Sequence, residues 1–242
     1  MLFSALRRAV SSLFRPSIFW HLVWPTLFAL FLWSVVFFFA WVPVTDWLTT
    51  WLSTHFHLTP EGWFYITCFW LVRIAFLLLL VPLVWLTATL LVAAVGIPMM
   101  LEKVSAYDYG ALQKRHGGSN LGSVWNAVRA GGQFFGLLVI SLPLWLIPGM
   151  GLIIGVGLSA WLNLKAFGYD ALMLHADREE LAALPRRHRD SLFIIGTLSA
   201  LLAYIPLLNL FAPALCGLTF VHYLLTALEA HRQEQNTLPV QP

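Results

Sequence analysis

Long apolar stretches separated by short polar segments run along most of the chain, and they predict membrane-spanning helices. The first stretch covers residues 17–41 and the second covers residues 63–101. About 20 consecutive apolar residues cross the hydrocarbon core of a bilayer. The first stretch therefore predicts one span, preceded by an arm, residues 1–16, whose pattern is that of an amphipathic helix lying at the membrane surface.

The second stretch is too long for a simple crossing at about 1.5 Å per residue. It predicts a strongly tilted helix, or one that bends near Pro82 or at residues 96–98. We expect it to continue into the cytoplasm as far as residue 116, because the next two residues are a Gly-Gly pair that can end a helix. Between the two stretches, residues 42–62 predict an outer loop, and apolar residues at helical spacing indicate a short surface helix within it.

Two later apolar blocks predict helical hairpins. The first hairpin covers residues 121–164 and is broken by IPGMG at 147–151, and the second covers residues 191–228 and is broken by IPLLNLFAP at 205–213. The arms of the second hairpin would extend roughly 22 Å at 1.5 Å per residue, less than the ~30 Å core. We therefore expect that hairpin to re-enter on the side from which it came, whereas the first comes close to spanning. Residues 229–242 are expected to form a polar tail.

Composition and charge set the class and the orientation. The chain is 60% hydrophobic and 10% charged, whereas soluble domains carry roughly 25% charged residues. All but one of the 14 Lys and Arg residues lie in the arm, in 102–129, in 165–189 and in the tail. By the positive-inside rule these segments and both termini are cytoplasmic. The prediction is an all-α integral membrane protein forming one domain over residues 1–242, with two long transmembrane helices, two hairpins and an N-terminal amphipathic helix.

Arg73 is the one basic residue inside an apolar stretch. A charge near mid-membrane costs at least ~2.5–3.5 kcal/mol on insertion scales, so it normally has a partner or a wet cavity. Arg73 is therefore a candidate anion-binding residue. The alternatives are that it pairs with an acidic side chain or extends to the membrane surface.

The hairpin tips are the second candidate anion site. The returning arm of each hairpin begins at the tip, so its free N–H groups and helix dipole favour an anion there. Gly149 and Gly151 would allow a ligand close to the backbone, and Asn209 could donate to it or accept from it. The competing interpretation is that the glycines permit a tight turn and that Asn209 caps it.

Other polar residues are weaker candidates for a functional role. Glu102 with Lys103 could gate a pore, or bind Arg129 or a neighbouring subunit; the competing interpretation is a helix surface held by salt bridges. The basic residues at 186–189 are expected to meet anionic lipid headgroups. We expect no metal site and no cofactor, and because no catalytic constellation is present we do not expect an enzyme.

The late half of the chain resembles a known family. LIPGMG, SAWL at 159–162 and GTLSALLAYIPLLNLFAPALCGLTF at 196–220 resemble the CysZ-type sulfate permeases of the etoposide-induced-protein domain superfamily. The likeness is strong over about residues 140–225 and weaker but collinear upstream. It implies a bacterial inner-membrane homo-oligomer that moves sulfate inward for cysteine synthesis.

The resemblance also adds candidate residues. The family carries a Pro-Gly-x-Arg-Arg-type stretch linked to sulfate binding, which aligns here with residues 16–20, PSIFW, so Arg15 just upstream is the candidate substitute. Glu102 matches the Glu of a second family pattern, with Ile97 in place of its Asn. The leading hypothesis is therefore a channel or permease for a small inorganic anion such as sulfate, without nucleic acid. The alternative is a non-transporting membrane scaffold.

Overall fold

The computed structural model describes residues 1–57, 59, 62–205 and 208–237, and it leaves out the side chains of residues 89, 90, 93, 94 and 210. Within these residues the fold is helical, without a strand. The α-helices are α1 (Leu2–Leu13), α2 (Pro16–His55), α3 (Trp63–Leu91), α4 (Ile97–Asp108), α5 (Asn120–Ser141), α6 (Met150–Asp170), α7 (Arg178–Arg187), α8 (Arg189–Leu202) and α9 (Ala212–Thr237). The all-α class predicted from the sequence is confirmed.

The chain forms two compact units. One consists of Met1–Phe19 with the chain from Ile97 onward, and the other is Trp20–Gly96. In the second unit α2 and α3 pack through aromatic and polar contacts. The indole N–H of Trp33 donates to the Thr87 hydroxyl at 2.9 Å, and the rings of Phe37 and Phe76 stack at 4.4 Å between centroids.

The expectation of a loop at 42–62 is wrong for most of that segment, because α2 continues without interruption to His55. Pro43 lies inside the helix but does not end it. The hydroxyls of Thr45 and Thr49 donate to backbone carbonyls four residues earlier, at 2.5 and 2.7 Å, so each finds a partner within the helix itself. The helical spacing read for a short surface helix thus belongs to α2, which at 40 residues extends about 60 Å. Residues 58, 60 and 61 of the predicted loop lie outside the described residues.

The second long stretch is interrupted where a bend was one of the predicted alternatives. A π-helical turn, Val92–Gly96, separates α3 from α4. A Cβ on Gly96 would lie 2.6 Å from the carbonyl oxygen of His21, so glycine is what lets α2 approach this turn.

The predicted helical extension to residue 116 is wrong, because α4 ends at Asp108. Residues 115–118 instead use their backbone N–H groups to bond the carbonyls of residues 173–176. Those long-range bonds satisfy N–H groups that a continued helix would have bonded internally. Gly117 belongs to this contact, since a Cβ there would lie 2.3 Å from the carbonyl carbon of Asp177. Ser119 caps α5 by accepting from the Gly122 N–H at 3.1 Å.

Helix α9 forms the centre of the first unit. It packs against α1, α4, α6, α7 and α8, and nearly every side chain from Cys216 to Leu228 is buried. The expected tail at 229–242 is wrong in its first part, since α9 continues to Thr237. Helices α6 and α8 cross closely because Gly196 lies against Ala160, where a Cβ would be 2.7 Å from the Ala160 carbonyl oxygen; small residues allow such an approach.

A buried ion pair ties α9 to α7. Arg232 donates to both carboxylate oxygens of Glu180 at 2.8 and 2.7 Å, and also to the carbonyls of Gln113 and His175. Burial alone would raise the pKa of Glu180, but hydrogen bonds from Arg232 and from the Asp177 backbone N–H, with the charge of Arg232, hold that pKa below its ordinary value. The sequence patterns did not indicate this pair.

Five helical segments of the described residues are long and apolar enough to cross a membrane. They are Pro16–His55, Trp63–Ala88, Asn120–Leu146, Met150–Asp170 and Ala212–Asn236. The first four are mostly exposed, as helices facing lipid are, whereas the last is mostly buried within the protein. The chain is therefore a multi-pass membrane protein by the length and composition of its helices.

Candidate functional site

Helix α1 separates apolar from polar positions around its axis. Ala5, Ala9 and Leu13 recur every four residues and are buried, and α1 packs against α9. Side chains three or four residues apart share a face of a helix. Arg8 and Ser11 are thereby placed on a different, exposed face.

Arg15 lies in the turn between α1 and α2 and pairs with the last residue of α4. One of its terminal nitrogens, Nη1, donates to both carboxylate oxygens of Asp108, at 2.9 and 3.0 Å. The Arg15 side chain stays 39% exposed and that of Asp108 26% exposed. Because an ion pair with this exposure is worth at most about 1 kcal/mol, an anion can compete with Asp108 for the guanidinium.

A buried polar cluster lies beside the turn between α1 and α2. The Ser12 hydroxyl lies 3.0 Å from Nε2 of His222, and the Tyr109 hydroxyl lies 3.1 Å from Nδ1 of the same ring. The Tyr109 hydroxyl also donates to the backbone carbonyl of His222 at 3.1 Å. The two contacts on the imidazole join α1, the residue after α4, and α9, so the positions of Ser12 and Asp108 are set by packing on α9.

These elements enclose a cavity of about 320 Å³ lined by Arg8, Ser11, Ser12, Arg15 and Asp108. Arg8 makes no ion pair within the part of the chain that the structure describes. The two guanidinium groups give the lining a net positive charge despite the one carboxylate, and the serine hydroxyls add hydrogen-bond donors. This donor set suits a small oxyanion, since guanidinium groups match its oxygen atoms geometrically.

Arg73 lies against Asp46, which is the structural alternative that the sequence left open for it. Its Nη2 donates to Oδ1 of Asp46 at 2.6 Å, and its guanidinium carbon lies 3.5 Å from the centre of the Phe69 ring. Its Nη1 is buried and makes no hydrogen bond to the described residues. Arg73 thus has one donor group still available beside a carboxylate that already neutralises its charge.

The segment predicted as the tip of the first hairpin is built as a turn. Gly149 has a positive φ of 82° and caps α6, and it is exposed with no atom near the place of a Cβ. A Cβ on Gly151 would lie 3.1 Å from the indole of Trp145, so Gly151 accommodates that ring. At the second tip, Asn209 is exposed and its backbone N–H donates to the Ile205 carbonyl at 3.0 Å, whereas residues 206 and 207 lie outside the described residues.

Comparison with known proteins identifies the family. The profile of the family described as "Sulfate transporter CysZ/Etoposide-induced protein 2.4" matches residues 5–213. The chain belongs to this family. The resemblance predicted from the sequence is thereby confirmed. Curated proteins and solved structures gave no match.

Membership of the CysZ/etoposide-induced-protein family makes the chain a member of a sulfate-transporter family, not of an enzyme family. The matched region contains the whole of the α1–α2 turn and Asp108. The structure adds Arg8, Ser11 and Ser12 to the predicted Arg15. Their signal in the sequence was the recurrence of Arg8, Ser11, Ser12 and Arg15 at helical spacing.

The remaining predicted residues of this CysZ-family chain lie apart from the cavity lining. Glu102 and Lys103 are exposed on α4, and Arg129 is exposed on α5. No ion pair joins them among the residues that the structure describes. The salt bridge expected between these positions is therefore not formed.

Proposed function

We propose that the chain is a bacterial inner-membrane channel or permease for a small inorganic oxyanion of the sulfate type, which supplies sulfur assimilation. The observation that carries this proposal is the cavity of Arg8, Ser11, Ser12 and Arg15 against Asp108. Family membership supports the substrate class. The chain assembles as a homo-oligomer in the bilayer.

In this mechanism Asp108 is the counter-ion that the substrate replaces. An oxyanion in the cavity is attracted by the guanidinium of Arg8, which has no carboxylate partner among the described residues. It competes with Asp108 for Arg15, whose hydrogen bonds to Asp108 are 2.9 and 3.0 Å long. Serine hydroxyls then donate to the remaining oxygen atoms. Exchange of one anionic partner for another keeps the site from holding its substrate too tightly for release.

The proposed topology has α2 and α3 as full crossings and the pairs α5–α6 and α8–α9 as hairpins that start and end in the cytoplasm. The distribution of basic residues supports it. Helix α8, with 14 residues, extends about 21 Å and falls short of the ~30 Å core. Single cysteines at Met150 and Leu208 test it: both should resist an impermeant thiol reagent added outside, and labelling of either would show a crossing.

We also propose Arg73 and the hairpin tips as further contacts for the anion. Arg73 would offer its unpaired Nη1 while Asp46 limits how strongly it holds an anion. Gly149, Gly151 and Asn209 would offer backbone groups at the tips. Glu102, Lys103 and Arg129, which are exposed and form no ion pair with one another, are proposed to gate the cytoplasmic mouth of the pore.

Uptake of labelled sulfate into liposomes holding the purified chain tests the function. Arg8→Gln and Arg15→Gln should each lower uptake at low sulfate by at least about ten-fold, because each removes a charged hydrogen-bond donor worth about 1.5–3 kcal/mol. Arg7→Gln is the matched control, since Arg7 is exposed on the same helix and does not line the cavity. No flux above empty liposomes at several pH values would overturn the transport proposal.

Asp108→Asn separates transport from the alternative function, a non-transporting membrane scaffold. The ion pairs of Arg15 and Arg73 favour that alternative, because both guanidiniums already have a carboxylate partner. If the cavity binds substrate, removing the Asp108 charge should tighten sulfate binding several-fold in a direct titration. Unchanged binding in this variant, with unchanged binding in Arg15→Gln, would support the scaffold.

A further inference from the structure

A second cavity lies in the first unit, where the end of α6, the end of α7 and the start of α8 meet. It has a volume of about 570 Å³, within the range of small-molecule sites. Part of its lining is cationic and part is apolar. The lining residues that matter here are Lys165, Arg186 and Arg189, and Trp161, Leu164 and Phe193.

The three cations come from three different helices, and the described part of the chain supplies no acidic partner to any of them. Lys165 lies on α6, Arg186 on α7 and Arg189 at the start of α8. None of them makes an ion pair with a described residue, and no described carboxylate lines the cavity. Folding thus brings together three like charges, whose mutual repulsion a bound anion would relieve. The other cavity differs, since Asp108 lies within it.

A site for a free inorganic ion would not account for the apolar part of the lining. The ammonium of Lys165 lies 5.9 Å from the centre of the Trp161 ring, one helical turn earlier on α6. Leu164 lies beside them, and Phe193 on α8 is 40% exposed. An apolar wall next to a cationic one matches a molecule with both characters. Trp and Lys at such positions are typical of the membrane–water interface.

We propose that this cavity binds an anionic phospholipid. The phosphodiester group lies between Lys165, Arg186 and Arg189, and an acyl chain follows Trp161, Leu164 and Phe193. The cavity lies in the basic segment around residues 165–189, where anionic headgroups of the cytoplasmic leaflet would meet it. Neighbouring Arg187 carries the same charge but does not line the cavity. This proposal does not depend on what the protein transports.

Thermal unfolding of the purified full-length chain in a neutral detergent tests the proposal. Phosphatidylglycerol is titrated, and the apparent affinity is read from the rise in the unfolding midpoint. Each cation near an anionic lipid contributes about five-fold in affinity. Arg186→Gln/Arg189→Gln should therefore bind about 25-fold more weakly, and Lys165→Gln alone about five-fold more weakly. Arg187→Gln is the matched control and should behave as the unchanged chain does.

Three outcomes would overturn the proposal. Equal stabilisation by phosphatidylcholine would show that no anionic group is recognised. An equal rise with inorganic phosphate, which also prevents any further rise with lipid, would show a free-anion site. Equal weakening in Arg187→Gln would show general attraction to the basic segment. Should the double variant unfold without lipid, Lys165→Gln decides the question, and unchanged affinity in it contradicts the proposal.

Discussion

Removal of Arg232 should destabilise the first unit more than removal of an exposed arginine does. Arg232 is only 9% exposed and donates two hydrogen bonds to Glu180 and one each to the carbonyls of Gln113 and His175. In Arg232→Ala the Glu180 carboxylate stays buried without its main partner, which costs about 3–5 kcal/mol. Arg115, at 3.3 Å from Glu180, compensates in part, so we expect about 3 kcal/mol.

The measurement is thermal unfolding followed by far-ultraviolet circular dichroism in detergent. For a chain of this size 1 kcal/mol lowers the midpoint by about 2–4 °C, so the expected decrease in Arg232→Ala is about 10 °C. Arg178→Ala is the matched control, since Arg178 is exposed at the start of α7 and should change stability by less than about 0.5 kcal/mol.

A double-mutant cycle with Glu180→Ala tests the reasoning itself. If each single variant leaves a buried charge without its partner, the double variant should lose less than the sum of the two single losses, with a coupling energy of at least about 1 kcal/mol. A midpoint within 2 °C of the unchanged chain for Arg232→Ala would refute the burial argument at about the precision of such scans. Additive losses in the cycle would show that Arg232 acts through the Gln113 and His175 carbonyls and not through the ion pair.

Two further predictions concern a turn and a histidine. Gly149→Ala should lower the unfolding free energy by about 1–2 kcal/mol, which is the cost of a side chain at positive φ. No steric clash adds to this cost, because no atom lies near the place of the new Cβ. A loss as large as that caused by a cavity in a protein core would contradict this prediction. Burial and neighbouring cations lower the pKa of His175 from 6.5 to about 4, so the neutral imidazole is the folded form. The contribution of His175 to the unfolding free energy should therefore be at its maximum above pH 6.5 and fall by ~3 kcal/mol as the pH drops to about 4. His175→Gln should remove most of that decrease. An unchanged pH profile in this variant would assign the loss to other groups.

Local physical rules predicted much of the fold, and they failed at element ends. Apolar runs longer than a bilayer core marked α2 and α3, and breaks at proline and glycine marked the interruptions between α5 and α6 and between α8 and α9. The end of α2 and the end of α4 were both missed, and for α4 the structure shows the reason. Whether a polar segment continues a helix depends on where its backbone N–H groups find acceptors, and the acceptors for residues 115–118 lie near residue 175 in space.

For the candidate cavity, too, the sequence determined some features and the tertiary structure determined others. The residue types and their helical spacing along α1, and the place of Arg15 before the first long helix, were determined by the sequence alone, as was the family. That Asp108, 93 residues from Arg15, closes the cavity was decided by the tertiary structure, because α1 and α4 meet through their packing on α9. Arg73 illustrates why the sequence alone does not identify such partners. A charge in an apolar run predicts that a partner exists, but only the packing of α2 against α3 shows that the partner is Asp46.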